Sequence, residues 1–172
     1  RWLAAAIGLI VLAGVFAIWN FYFRPPPIVP ASVEKMAYPL PDNPSIAVLP
    51  FDNLTGDTQK NYIADGFTED VITALSKVPK LFVIARSSTF TFKDKPVKIQ
   101  RVAEELGVQY VLEGSVRQSK NKMRINAQLI DATTGKQLWA ERYDRNLKDI
   151  FALQDEIAMK IMAELQVEIA EA

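Results

Sequence analysis

The sequence contains no cysteine and no histidine. That double absence removes a thiol nucleophile, a disulfide framework, a zinc site of the usual ligands and any histidine-based triad. Glycine is scarce, with 7 residues, and Gly56, Gly66, Gly107, Gly114 and Gly135 are isolated from one another, so no phosphate-cradling loop is present. Charge of either sign is not in excess. The 20 Lys and Arg balance 20 Asp and Glu, for a formal net charge of +0, and the balance gives no argument for nucleic acid. No cofactor or metal is indicated. The 172 residues allow one modest domain with extras, and a start at Arg1 rather than Met points to a piece of a longer protein.

What is present begins with an apolar run. Trp2 to Phe23 is apolar apart from Asn20, about 22 residues, or ~33 Å of helix, enough to cross a hydrocarbon core. Trp19, Phe21, Tyr22 and Phe23 crowd its far end as interfacial aromatics do. The rival reading, a cleaved signal peptide, needs a small-residue cleavage site, and Trp-Asn-Phe-Tyr-Phe-Arg is none. Residues 1–24 are therefore read as one transmembrane helix, which gives the chain the membrane as a partner. Ala4 with Gly8 and Ala13 with Ala17 are small-residue pairs of the kind that let helices pack, or simply common membrane residues.

Residues 25–44 read as a spacer. Pro25, Pro26, Pro27, Pro30, Pro39, Pro41 and Pro44 lie here out of the chain's 10 prolines. Such a segment favours polyproline II and reaches ~60 Å when extended. It is expected to hold a folded domain off the bilayer, in preference to serving as a ligand for an SH3-like partner.

The domain is organised around Ser45–Phe51. Ile46, Ala47, Val48 and Leu49 form a short unbroken apolar run, the pattern of a strand buried on both faces, and Pro50 should end its ladder. A turn cluster at Asp52–Asp57 follows. Asp57 or Thr58 is placed to cap a helix to about Ser76, with Ile63, Phe67, Val71, Ala74, Leu75 and Val78 on its buried face. Leu81–Ala85 reads as a second strand, and Lys98–Leu106 as a short helix stopped by Gly107. Three strands follow at Val108–Gln118, Met123–Asp131 and Gln137–Asp144, and a long helix at Leu147–Ala172. The order β-α-β-α-β-β-β-α predicts a two-layer α/β domain over residues 45–146. It has a mixed five-stranded sheet with helices on one face, a preceding transmembrane helix, and a C-terminal helix at 147–172 leading toward a repeat region.

Several separated blocks carry a family resemblance. They are Ile-Ala-Val-Leu-Pro-Phe-Asp-Asn-Leu from Ile46, Ala-Asp-Gly-Phe-Thr-Glu-Asp from Ala64, Glu-Leu-Gly-Val from Glu105, Tyr-Val-Leu-Glu-Gly-Ser-Val from Tyr110 and Leu-Trp-Ala-Glu-Arg-Tyr-Asp from Leu138. As a set they resemble the TolB amino-terminal-like domain of modular bacterial membrane signalling proteins. In those proteins a class III adenylate or guanylate cyclase, or a CadC-like winged-helix regulator, precedes one membrane helix, this domain and tetratricopeptide repeats. The resemblance implies a non-catalytic sensory or protein-interaction module in the periplasm, anchored by a single pass in the inner membrane, with a protein partner or a second copy as its ligand. The alternative is a fragment of a membrane cyclase whose catalytic domain lies upstream of Arg1. This chain is expected to have no turnover, whatever its parent does.

Three local clusters each admit a functional reading beside a solvent-facing one. Asp65, Glu69 and Asp70 lie one helical turn apart, as acid–base or Mg²⁺ chemistry would need, but charge near a helix N-terminus suffices to explain them. Lys93, Lys95 and Lys98 near Phe90 and Phe92 match a single-strand-binding pattern, though a wet loop beside core aromatics is the preferred reading, and no nucleic acid is assigned. Last, alternation along the meander sends Arg124, Asn126, Gln128, Trp139, Glu141 and Tyr143 to one face. Trp, Tyr and Arg anchor binding patches. Arg124, Gln128, Trp139, Glu141 and Tyr143 are therefore the candidate interaction surface, unless the final helix folds over it.

Overall fold

The computed structural model describes residues 13–15 and 27–171. Its strands are β1 (Ser45–Val48), β2 (Asp52–Asn53), β3 (Phe82–Val83), β4 (Tyr110–Ser119), β5 (Lys122–Asp131) and β6 (Lys136–Asn146). Its helices are α1 (Asn61–Ser76), α2 (Arg86–Thr89), α3 (Ile99–Leu106) and α4 (Ile150–Glu171). All strands join one 6-stranded mixed sheet in the order β3-β1-β4-β5-β6, with β2 also paired to β4. β1 runs parallel to β3 and β4, and β4, β5 and β6 form an antiparallel meander.

β1 is buried along its whole length. Because successive side chains point to opposite faces, Ile46 and Val48 enter one hydrophobic cluster while Ala47 and Leu49 enter another. The first cluster lies under α1 and α4, which contribute Phe67, Val71, Leu75, Leu153, Ile157 and Ile161. The second lies under α3, through Ile99, Val102 and Ala103. Helices therefore cover both faces, where the sequence reading put them on one face of five strands. Strand order explains the difference. The connection from β1 to β3 moves one way across the sheet, and the connection from β3 to β4 moves back over β1. Crossovers of a single hand then place their helices on opposite sides.

Pro50 interrupts the β1 edge, as its missing N–H requires, but pairing resumes beyond it. Val48 pairs with Leu112, and Asp52 with Ser115, so the β1–β2 side holds one residue more than β4 over this stretch. This bulge shifts the alternation and turns Phe51 into the same cluster as Ile46 and Val48. The Phe51 N–H leaves the ladder and donates to Thr68 Oγ1 at 3.0 Å, while that hydroxyl donates to the Ala64 carbonyl at 2.8 Å. The Phe51 ring meets Phe67 edge-on at 5.2 Å. It lies so close over Gly114 that a Cβ there would sit 2.4 Å from Phe51 Cε1.

Asp57 caps the 3-10 turn that leads into α1, accepting from the Gln59 N–H at 3.0 Å. The second apolar strand shortens from Leu81–Ala85 to Phe82–Val83. Gly107 closes α3 in the left-handed region, and Gly135 takes φ +72° in the turn before β6, both as the sequence suggests.

The proline-rich segment is not a free spacer from Ile28 onward. Ala31 is buried and donates its N–H to the Ala132 carbonyl at 2.7 Å; Ala37 donates to the Glu104 carbonyl at 2.7 Å. The Ser32 N–H donates to Glu104 Oε1 at 3.0 Å. That bond, with help from the Gln100 amide and Lys35, holds the Glu104 carboxyl below its ordinary pKa against the opposing effect of burial. The expected membrane helix Trp2–Phe23 lies outside the described residues except for Ala13–Val15, which are helical. Among the described residues no helix is long and apolar enough to cross a membrane.

Val48 is fully buried, paired with Leu112 of β4 in the cluster that α1 and α4 cover. Val48→Asp buries an unpaired charge at a cost of several kcal/mol, against a net stability of ~5–15 kcal/mol. The variant is expected to lose its cooperative thermal transition by circular dichroism, and a melt close to wild type would show that β1 is not central.

Candidate interaction surface

The register of β5 against β6 divides the residues that the sequence placed together. Arg124 pairs with Asp144, Asn126 with Arg142 and Gln128 with Ala140, on one face; Ile125 pairs with Tyr143, Ala127 with Glu141 and Leu129 with Trp139, on the other. Each strand alternates as its sequence pattern predicts, but the two alternations are out of phase with one another. The phase is set by the Ala132–Gly135 turn and by the irregularity at Leu129/Ile130, neither of which is fixed by the strand pattern alone.

Trp139 and Tyr143 are consequently buried, packed 6.4 Å apart in the cluster that holds Leu153, Ile157 and Ile161 of α4. The final helix occupies this face. The Tyr143 hydroxyl donates to Glu141 Oε2 at 2.6 Å; Lys160 reaches Glu141 at 3.7 Å and Arg145 reaches Glu156 at 2.9 Å. Burial and the neighbouring Glu141 carboxylate push the Tyr143 phenol well up. The same hydroxyl is the main influence lowering Glu141, ahead of the opposing burial effect.

The opposite face of the meander is open. Arg124 grips Asp144 through Nε and Nη2 at 2.7 and 3.2 Å, and Arg142 lies 3.9 Å from the same carboxylate. The Asn126 amide donates to Ser115 Oγ at 3.1 Å, and the Gln128 amide donates to Glu113. Glu113, Ser115, Asn126, Gln128 and Arg142 line one side of a groove of about 690 Å³, whose lining also includes Phe92, the Asp94–Val97 loop, Asp52 and Leu54. Burial pushes the Glu113 carboxyl up, the Gln128 amide opposes that, and Asp52 adds to it. Chemically the groove offers amides, a hydroxyl, an arginine and a half-buried carboxyl, a set that recognises polar groups by hydrogen bonding. Glu113, Ser115 and Arg142 were not among the sequence candidates. The signal for Glu113 and Ser115 is the alternation of Glu113, Ser115 and Arg117 with Leu112, Gly114 and Val116 in β4, and for Arg142 its alternation with Glu141 and Tyr143 in β6.

The other polar clusters are consumed within the fold. Asp65 pairs with Lys93 at 2.5 Å, Glu69 with Arg86 at 3.3 Å, and Asp70 accepts from the Gln154 amide at 2.7 Å, so the three carboxylates clip α1 to three different partners. Arg86 stacks 3.8 Å over the Phe90 ring, Lys95 donates to the Thr91 carbonyl at 2.7 Å, and Phe92 is buried. Among the described residues no group of acidic side chains is gathered as a metal site would need.

Residues 42–160 match the family described as the second domain of HilA/YgeH-like transcriptional regulators. Putative adenylate cyclase 3 of Rhizobium meliloti (strain 1021) is 58% identical over 146 residues, which make up 85% of this chain and only 24% of that protein. The chain therefore spans about a quarter of that relative's length. Among solved structures, TolB from Acinetobacter baumannii superposes with a TM-score of 0.54 at 20% identity, covering 76% of this chain and 30% of that one. The LpoB C-terminal domain from Salmonella enterica follows at a TM-score of 0.49 and 20% identity, with 65% and 88% covered. The likeness to TolB expected from the sequence blocks is thus met at the level of the fold.

A carboxyl whose pKa is raised by folding binds its proton more tightly in the folded than in the unfolded chain. Its ionisation penalises folding at neutral pH, and the penalty disappears as pH falls toward the ordinary value of 4.5. Glu113→Gln should therefore melt at or above wild type at pH 7. The wild type should gain on the variant as pH drops toward 4.5, measured as the difference between two melting-point profiles. A difference that is flat with pH would contradict this account of Glu113.

Proposed function

The chain belongs to the family described as the second domain of HilA/YgeH-like transcriptional regulators, and on that premise we propose that it is a non-catalytic interaction or sensory module of a larger, membrane-anchored bacterial signalling protein. The observation that carries this reading is the groove. The sheet is covered by helices elsewhere on both faces, yet the polar row of Glu113, Ser115, Asn126, Gln128 and Arg142 is left open beside it. Conserving stability alone gives no reason to hold a carboxyl there half out of water. In this reading Trp2–Phe23 is a single-pass inner-membrane helix and the domain lies on the periplasmic side. The working surface is Gln128 and Arg124 with their neighbours on the open face, while Trp139, Glu141 and Tyr143 secure α4.

The relative named a putative adenylate cyclase favours a second, compatible reading of the parent protein. The parent makes a cyclic nucleotide with a catalytic domain outside this chain, and the present domain regulates it. Tetratricopeptide repeats after α4 complete the same modular build.

The test is made in the parent protein. Asn126→Ala with Gln128→Ala removes two groove amides that are not in either hydrophobic cluster. Signalling output, read as cyclic nucleotide or as target transcription, is expected to change severalfold at unchanged abundance and melting point. Unaltered output would remove the groove from the account. Protease added to spheroplasts should cleave beyond Pro44; complete protection would contradict the periplasmic placement.

A further inference from the structure

β6 ends the sheet. Its one strand neighbour is β5, and among the described residues no other strand lies beside its outer edge. At 11 residues it is far longer than β3, the 2-residue strand at the opposite end. An open edge of this length is a template for another strand, and natural proteins commonly blunt such edges with charge. The charges on β6 do something different, because they alternate in sign along Glu141, Arg142, Tyr143, Asp144 and Arg145.

Antiparallel self-pairing about a two-fold axis at Tyr143 puts Glu141 opposite Arg145 and Arg142 opposite Asp144, each pairing made twice. The Glu141–Arg145 pairs fall on the α4 face and the Arg142–Asp144 pairs on the open face, so complementarity holds on both sides of the sheet. Centring the axis on Glu141 instead opposes two carboxylates and leaves Arg142 against Ala140. The side chains are part-exposed, Glu141, Arg142, Asp144 and Arg145 being between 37% and 63% open to solvent, so their present partners within the chain, Arg124 for Asp144 and Glu156 for Arg145, leave room for a second one. Glu156 and Lys160 of α4 reach Arg145 and Glu141, so this side of the helix borders the same edge. Met159, between them in sequence, is 63% exposed and adds an apolar rim.

We propose that β6 is a homodimerisation edge: a second copy of this chain adds antiparallel to it in the register centred on Tyr143, joining two sheets into one. This extends the reading of the chain as an interaction module by naming one partner. Its failure leaves the groove standing, because Glu113, Asn126 and Gln128 lie on β4 and β5.

The chain has no cysteine, so introduced thiols report cleanly. The full chain in detergent micelles is used, which keeps the apolar N-terminal segment present in every sample. Arg142→Cys and Asp144→Cys chains, mixed and oxidised, are expected to form a disulfide-linked heterodimer about tenfold faster than Arg142→Cys mixed with Gln137→Cys, because directly opposite positions lie within ~5.5 Å. Arg142→Glu should weaken the dimer about tenfold, and Arg142→Glu with Asp144→Arg should recover it, since the swap restores opposite charges. The proposal stands only if both responses are seen. A monomer, or a dimer indifferent to thiol position or to the charge swap, overturns it. Circular dichroism melts of each variant confirm that a lost dimer is not an unfolded chain.

Discussion

The parallel pairing of β1 with β4 is the constraint on which both hydrophobic clusters rest. Ile46 and Val48 reach the layer of α1 and α4, while Ala47 and Leu49 reach the layer of α3. Four consecutive buried side chains leave no polar side to this strand, so it is stable only with a layer on each face. Burying an aliphatic side chain of this size contributes ~1.5–3 kcal/mol, and the set is comparable with the whole net stability of a small domain, ~5–15 kcal/mol. Pro50 then makes the bulge, the bulge turns Phe51 into the first cluster, and Thr68 takes up the amide that the ladder lost.

A second consequence concerns what precedes the domain. The Ile28–Tyr38 segment is tied to α3 and to the β5–β6 turn through Glu104 and Ala132. A Cβ on Gly107 would lie 2.7 Å from the Tyr38 carbonyl oxygen, and one on Gly135 would lie 2.5 Å from that of Ile28. Both glycines also have positive φ, so each serves the turn and the docked segment together. Only Pro25, Pro26 and Pro27 then separate the docked chain from Arg24.

Much of this fold was legible in the sequence, because local patterns dominate where one face is buried. The β1 run, the α1 face through Phe67, Val71 and Leu75, the stop at Gly107 and the strands of the meander all follow from periodicity and turn chemistry. What failed depended on relations between elements. The unbroken run at Ile46–Leu49 already called for layers on both faces, but the side taken by α3 is settled by strand order. β2 was hidden because its pairing to β4 restarts after a proline. The docking of Ile28–Tyr38 was masked by proline content, which forbids helix but not irregular packing against a core. The candidate surface is divided for the same reason, its Trp139 and Tyr143 going under the final helix as the alternative reading allowed: the alternations in β5 and β6 are each visible, while the phase between them depends on one turn. The buried Trp139 and Tyr143 therefore looked like neighbours of the open Arg124 and Gln128.

Native-state hydrogen exchange tests the central claim most directly. If β1 joins both clusters, the amides of Ile46, Ala47, Val48 and Leu49 should exchange only through global opening. They should then be among the slowest in the chain, together with those of Val111 and Leu112, with free energies equal to that of unfolding. Exchange of the β1 amides well ahead of those in β4 and β5, through a local opening that leaves the meander protected, would contradict it.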